Sequence, residues 1–325
     1  MGRKQGPRKG SMQFWPRSRT TDILPRVNWR PIDAKTSSQK PNLLGFIGYK
    51  AGMASAFLKD NTADSMTKGK RIIIPVTLIE CPPIKILSVR FYKNGKVMKE
   101  VLNENLDKEL RRVVKMPKVK INIKEMIEKI EKDNQFTDVK LVMYSQPKKA
   151  EIKKTPDISE IAISGNLKDK LQFIKDNIVK EFSITDIFQK GTVDIRGATT
   201  GRGLQGPVKR FGIRLRSHKA EKGQRRPGSI GAWHPMGVRN TVPRPGQMGL
   251  FQRIVYNSAI VASKKLVEND VIIKRMFTNY GNIKSDYLIL SGSVQGPKKR
   301  QLLITNTLRP TKKTVKKNYE FIELR

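Results

Sequence analysis

Apolar residues in this chain fall mostly into short runs closed off by Gly, Pro or Asn. Residues 43–50 (LLGFIGYK), 72–80 (IIIPVTLIE) and 84–92 (IKILSVRFY) are rich in apolar and β-branched positions, which predicts strands. Lys93-Asn94-Gly95-Lys96 predicts a tight hairpin turn into VMKEVL, because Asn-Gly tolerates the positive φ such turns need. Pro75 has no N–H to give a ladder and predicts an edge or a bulge within its run. Further strands are expected over 250–256, 271–277, 287–290, 301–305 and 319–324. Short strands at this spacing predict a closed or nearly closed β-barrel.

A different pattern occupies 106–181. Residues 106–116 and 124–132 predict helices. A third is expected after Asn166, a residue suited to N-capping, with Leu167, Leu171, Ile174 and Ile178 on one face. A strand is expected at 139–144. The fold class is therefore mainly β with an α+β insert. The barrel body spans 43–105 and 182–325, and the insert at 106–181 interrupts it.

Two stretches fit neither period. Residues 1–42 and an arm at 197–249, lying within the body, are expected to be basic, non-globular extensions. From Arg196 to Arg253 there are ten Arg and three Lys against one acid, Glu221, in a setting dense in Gly and Pro with a single Trp, Trp233. A core-free segment of that length is mostly functional or disordered. Its charge repels itself unless something anionic neutralises it. A phosphate backbone would do so.

The whole chain carries a net charge of +38 with a pI of about 10.4. That balance favours nucleic acid over a membrane, since no apolar run approaches the roughly 20 residues a spanning helix needs. MGRKQGPRKG has no apolar region behind it, so no secretory signal is expected. A single cysteine, Cys81, excludes an internal disulfide framework and a multi-Cys zinc site, and a cytoplasmic location follows. The excess charge is local. Residues 100–181 hold 15 acids and 18 bases, whereas 1–40 hold ten Lys/Arg against Asp22 and Asp33. In that first segment Phe14, Trp15 and Trp29 lie among four prolines. It reads as an extension laid on RNA, with Arg8, Lys9, Arg17 and Arg19 on phosphates and the rings on bases or in a neighbour's pocket. The alternative is a disordered basic tail. A third basic place is the tail at 294–317, where GSVQGPKKR turns Lys298, Lys299 and Arg300 onto one spot.

Gly201-Arg202-Gly203-Leu204-Gln205-Gly206 matches the dinucleotide pattern GxGxxG, but Pro207 and Gly212 interrupt the helix that should follow, and no second strand leads to Glu221. Gly197, Gly201, Gly203 and Gly206 are instead expected to let backbone approach a phosphate or sugar closely. His218 and Glu221 could be a ligand pair on a helix, but a pair is not a metal site, and His234 has no nucleophile or orienting partner around it. Both histidines are read as RNA contacts. Trp233 would ordinarily be a core residue. With few apolar neighbours in sequence, it is expected to stack on a base. Phosphate contacts are expected from Arg196, Arg202, Lys209, Arg210, Arg214, Arg216, Lys222, Arg225, Arg226, Arg239, Arg244 and Arg253, since guanidinium suits bidentate phosphate binding and stacking. No catalytic residue, metal, cofactor, small-molecule substrate or membrane contact is expected.

These residues resemble one family, the universal large-subunit ribosomal protein L-three, in its archaeal form. Its signature is met by Asp194, Gly197, Thr199, Gly201, Arg202, Gly203, Gly206 and Arg210, with Ile187 where Phe or Leu usually opens it. PRKGSMQFWPRSR, GYKAGM at 48–53, GSIGAWHP around Trp233, VPRPGQMG at 242–249 and GSVQGPKKR at 292–300 also match, and Ala54 replaces a usual Thr. The resemblance implies a β-barrel body that binds ribosomal RNA near its 3′ end and acts early in assembly of the large subunit. It also implies an internal extension whose Trp-bearing tip lies near the peptidyl transferase centre, shaping RNA around the aminoacyl-tRNA site without catalysis. Ribosomal RNA and neighbouring ribosomal proteins are the implied partners. An RNA-modifying enzyme and a general nucleic-acid-coating protein are the alternatives. The first needs a cofactor pocket or acid/base pair that the basic regions do not offer, and the second leaves the single Trp-bearing arm unexplained.

Overall fold

The structure, a computed structural model, describes residues 14–36, 40–117, 122–133, 136–234, 236–266 and 276–325. The chain opens with α1 (Arg30–Thr36), β1 (Gly45–Asp60), β2 (Arg71–Glu80), β3 (Ile84–Lys93) and β4 (Lys96–Leu102). A short 3-10 turn at Lys108–Arg112 precedes α2 (Ile123–Asp133), β5 (Asp138–Ser145), β6 (Ile158–Ala162), α3 (Leu167–Asn177) and α4 (Ile184–Ile187). Then come β7 (Thr192–Ala198), β8 (Leu204–Gln205), α5 (Pro207–Phe211) and β9 (Gly246–Gln247). The chain ends with β10 (Gln252–Lys264), β11 (Tyr287–Ser291), β12 (Gln301–Asn306), α6 (Lys312–Val315) and β13 (Tyr319–Leu324). These elements belong to two units. One comprises Asp22–Gly197 and Arg253–Arg325, and the other joins Ala198–Gln252 to the N-terminal residues.

The larger unit is mainly β. Its first sheet runs β12-β7-β10-β11-β2-β1-β13, and β12 pairs again with β1, so the strand order closes into a ring. The length of β1 makes this possible. Gly45–Tyr49 pairs with β12, while Ala56–Asp60 pairs with β13 on the same side of the strand. The sequence pattern suggested a strand only over 43–50. The second half is rich in small residues because large neighbours crowd it: a Cβ on Gly52 would lie 2.8 Å from the Phe277 ring.

Pro75 is not on an edge strand, since β2 lies between β1 and β11. It sits one residue past the last β11 pair, Ser291↔Val76, and its carbonyl accepts from Gly292 N at 2.8 Å. Opposite it, Ser55 exchanges both backbone hydrogen bonds with Arg325. The missing N–H therefore falls where the ladder has ended.

A second antiparallel sheet, β4-β3-β5-β6, carries α2 and α3. The Asn94-Gly95 hairpin forms as expected, with φ of 51° and 79° at its two central residues and Lys93 paired to Lys96. On α3, Leu171, Ile174 and Ile178 are buried and Leu167 partly so; Asn166 occupies the N-cap position without a side-chain cap bond. One cluster of apolar side chains, including Phe46, Phe91, Ile127, Leu141, Ile174 and Leu303, fuses both sheets and the helices. Burial of such a side chain contributes about 1.5–3 kcal/mol, so this shared core welds the α+β part to the ring.

Three expectations are corrected. Residues 106–116 do not form an α-helix; Leu110 in the 3-10 turn is the one fully buried residue, Leu106 and Met116 pack only partly against the same small cluster, and so little buried apolar surface does not hold a longer helix on the sheet. Trp29 belongs to the core, 1% exposed, with its indole Nε1 donating to the Glu160 carbonyl at 3.0 Å. Asp33 on α1 pairs at 2.6 Å with Lys170, a nearly buried lysine that also meets Asp138 at 3.2 Å. Residues 22–36 are thus docked on the globular unit. Of the strand expected at 271–277, residues 271–275 lie outside the described residues, and Phe277 forms an isolated bridge to Gly281.

Candidate nucleic-acid interface

The smaller unit begins as a two-stranded zipper built from the glycine-rich signature. Thr199 N donates to the Phe251 carbonyl and Phe251 N to the Thr199 hydroxyl, at 2.9 and 3.1 Å. Arg202 N donates to Met248 O, Met248 N to Gly203 O, and β8 pairs with β9. Gly249 must be glycine here: its φ is +73°, and a Cβ would lie 2.1 Å from the Thr200 carbonyl oxygen. The N-terminal segment joins this zipper through Thr20 N to Leu250 O at 2.8 Å.

Pro207 and Gly212 bound a helix rather than prevent one. Gly206 is the N-cap of α5, Pro207 opens it, and Gly212 closes it at φ 68°. Five residues are too few for a dinucleotide site. Arg210 at its end donates Nε to Gln247 O and Nη1 to Arg244 O, at 3.1 and 3.0 Å, binding the outgoing and returning chains together. The Phe211 ring is buried and carries two guanidiniums, Arg17 at 4.7 Å and Arg210 at 5.1 Å from its centroid. Burial, then the neighbouring Arg17, lowers the Arg210 pKa from the ordinary arginine value.

Residues 212–244 hold few internal bonds. Arg216 donates from its backbone to Gln224 O and from Nη2 to Pro227 O, at 3.1 Å each. Turns at Ser217–Ala220 and Ala220–Gly223 carry His218, Glu221 and Lys222 on no helix. Trp233 stands 75% exposed, with His234 edge-on at 6.4 Å between ring centroids. Arg202, Lys209, Arg214, Arg216, His218, Lys222, Arg225, Arg226, His234, Arg239 and Arg244 are likewise exposed. With one acid in the entire unit, these cations have little protein charge to meet. Of the N-terminal residues, Phe14, Trp15 and Arg19 are exposed and Arg17 half-buried, while Arg8 and Lys9 lie outside the described residues.

The larger unit holds the remaining sequence-identified residues. Arg196 is half-buried beside Asp194 and Thr305, and burial lowers its pKa from the ordinary value. The close approach at Gly197 is to the protein itself, where a Cβ would lie 2.5 Å from Leu302 Cδ2. Arg253 is exposed. Lys298, Lys299 and Arg300 share one loop held by Lys50, whose Nζ donates to Val294 O and Gly296 O at 2.5 and 3.1 Å. Burial and the Lys298 charge both lower the Lys50 pKa. Lys298 itself donates to the Thr278 carbonyl.

Two organising residues were missed as such. Asp194, fully buried, accepts from Asn257 N at 2.8 Å and Leu308 N at 3.2 Å. Lys50 holds a loop more than 240 residues away in sequence. Both lie in stretches already singled out, but their partners are too distant in sequence for spacing to reveal. No group of three metal-ligating side chains occurs among the described residues, and no described helix is long and apolar enough to cross a membrane.

The chain is similar to known proteins along nearly its whole length. The family model described as "Ribosomal protein L3" matches residues 1–325. The chain is 37% identical to large ribosomal subunit protein uL3 of Archaeoglobus fulgidus, covering 94% of this chain and 93% of that one. It is 38% identical to the same protein of Methanocaldococcus jannaschii, with coverage of 95% and 93%, and 36% identical to that of Nanoarchaeum equitans, with 99% and 97%. A glycine-rich, cation-dense unit and a mainly β unit, matched from end to end, place the chain in the ribosomal protein L3 family, structural constituents of the large ribosomal subunit and not enzymes.

Proposed function

We propose that the chain binds ribosomal RNA directly, supports early assembly of the large subunit, and uses the arm at 197–249 to shape RNA near the peptidyl transferase centre. The observation that carries this reading is the exposed tip: Trp233 stands open among arginines and lysines with one acid in the whole unit. Arginine and lysine supply phosphate contacts and counterion release, and the aromatic ring supplies stacking. The zipper from Thr199 to Arg210 gives the tip a defined root, which supports shape recognition of folded RNA.

In this reading the N-terminal residues up to Thr21 and the loop of Lys298, Lys299 and Arg300 bind RNA as well. The strand ring, drawn from 45–80 and 192–324, acts as a barrel body; β3 and β4, expected in that body, pair instead with β5 of the α+β part, which faces solvent or neighbouring ribosomal proteins. The place of action is the ribosome, a cytoplasmic particle.

Sedimentation of native extract through a high-salt sucrose gradient tests it. The chain is expected to stay with the large subunit, whereas release to the top of the gradient would mark it as peripheral. In isolation its RNA affinity should fall with salt at a slope of roughly −0.7 to −0.9 per phosphate neutralised.

A further inference from the structure

Within the smaller unit the N-terminal segment and the arm root enclose a cleft of about 500 Å³. Its walls include Phe14, Trp15, Arg17, Phe211, Asn240 and Arg244. Phe14 and Trp15 leave 59% and 62% of their surface open, although the larger unit has buried Trp29. Across the cleft Phe211 lies under the guanidiniums of Arg17 and Arg210. No acid lines it.

We infer that this cleft takes a single unstacked nucleotide of RNA, its base against Trp15 and its phosphate beside Arg17 and Arg244. Flat exposed rings beside guanidiniums stack bases irrespective of sequence. The volume falls within the range of about 300–1,000 Å³ that small ligands occupy. A duplex hides its base faces and cannot use the rings, so the occupant must be flipped out or single-stranded. Asn240 offers a donor and an acceptor to the base edge. A peptide occupant would have to bring carboxylates to match the positive lining. The inference rests on the RNA-binding reading above and adds a second base site to it, at the arm's root instead of its tip.

The test uses the full chain and two RNA hairpins with identical stem and loop. One carries a single extruded 2-aminopurine in the stem, and the other is fully paired. The chain is expected to prefer the extruded hairpin by roughly 5- to 150-fold, the equivalent of one base–aromatic stack, and to quench its fluorescence. Trp15→Leu should abolish that preference while leaving affinity for the paired hairpin unchanged. Trp15 is mostly exposed, so retained binding of the paired hairpin also reports an intact fold. Trp233→Leu should keep the preference. Equal affinity of the unaltered chain for both hairpins, or a preference that survives Trp15→Leu, overturns the cleft assignment alone. Loss of salt-dependent binding to both hairpins by the unaltered chain would instead overturn the RNA-binding reading. In purified subunits, Trp15 cross-linking to protein and not RNA assigns the cleft to a peptide and overturns the inference.

Discussion

Trp29 and Trp233 allow the division between core and interface to be measured with one substitution made twice. Trp29 is 1% exposed, packs so close to Gly45 that a Cβ there would lie 2.7 Å from its ring, and donates to the Glu160 carbonyl on β6. Trp29→Ala removes that packing and leaves a cavity, which for a core Trp costs about 3–5 kcal/mol. Trp29→Phe retains most of the packing but leaves the Glu160 carbonyl only the longer bond from the Ser159 hydroxyl at 3.4 Å, a loss of about 1 kcal/mol. Trp233 is 75% exposed, so Trp233→Ala should change stability by no more than about 0.5 kcal/mol. The assay is urea unfolding of the full chain followed by far-UV circular dichroism, with differences read from midpoints at a common slope. A Trp29→Ala loss below about 1 kcal/mol, or a Trp233→Ala loss above it, would refute the assignment of one ring to the core and the other to a partner.

Function should show the reverse order: Trp233→Ala is expected to enter large subunits at normal stoichiometry yet slow aminoacyl-tRNA accommodation, and failure to incorporate would contradict the proposed role of the tip. Gly249→Ala forces a left-handed backbone, costing about 1–2 kcal/mol, and drives a methyl into the Thr200 carbonyl. Amide exchange should therefore speed up at Arg202, Met248 and Leu250 but not in β11 or β12; unchanged protection at the zipper would refute this account of the root. Burial pushes the Glu160 carboxyl up, but hydrogen bonds and charge from Tyr92, Lys140 and Arg90 more than offset it, so in the fold it lies below its ordinary 4.5. Between the folded and ordinary values the unfolded chain holds more protons, so this stabilisation is present above about pH 4.5 and is lost as pH falls through the folded value. Thermal midpoints measured from pH 6 to 3 should drop less steeply for Glu160→Gln than for the unaltered chain, and parallel curves would refute the linkage.

Much of the local structure was legible because it depends on near neighbours. The Asn94-Gly95 hairpin, α3 with its Leu171, Ile174 and Ile178 face, and β13 all follow from spacing and turn chemistry alone. The failures involve partners far away in the chain. Trp29 read as an RNA-facing ring because its acceptor, Glu160, is 131 residues away. The second half of β1 was invisible because its small residues are explained only by the side chains that crowd them, such as Phe277 at Gly52. The 106–116 helix was over-read because a helical pattern needs an apolar surface to dock on, and here only Leu110 is fully buried while Leu106 and Met116 pack partly from either side of the turn.

The same distinction separates site chemistry from site construction. Composition alone favours an anionic partner: ten arginines and three lysines face one acid over 196–253, and with a net charge of +38 over the whole chain no fold can neutralise every cation from within. Charge is additive along a chain, so a sequence states it completely. Which cations are spent on the protein and which stay open is decided by contacts between distant segments. Tertiary structure turned Arg210 into a brace between outgoing and returning chains, buried Asp194 as an anchor, and set Lys50 to hold the Lys298–Arg300 loop. It also brought Trp15 and Phe211, nearly 200 residues apart, to one cleft, a juxtaposition no spacing in the sequence records.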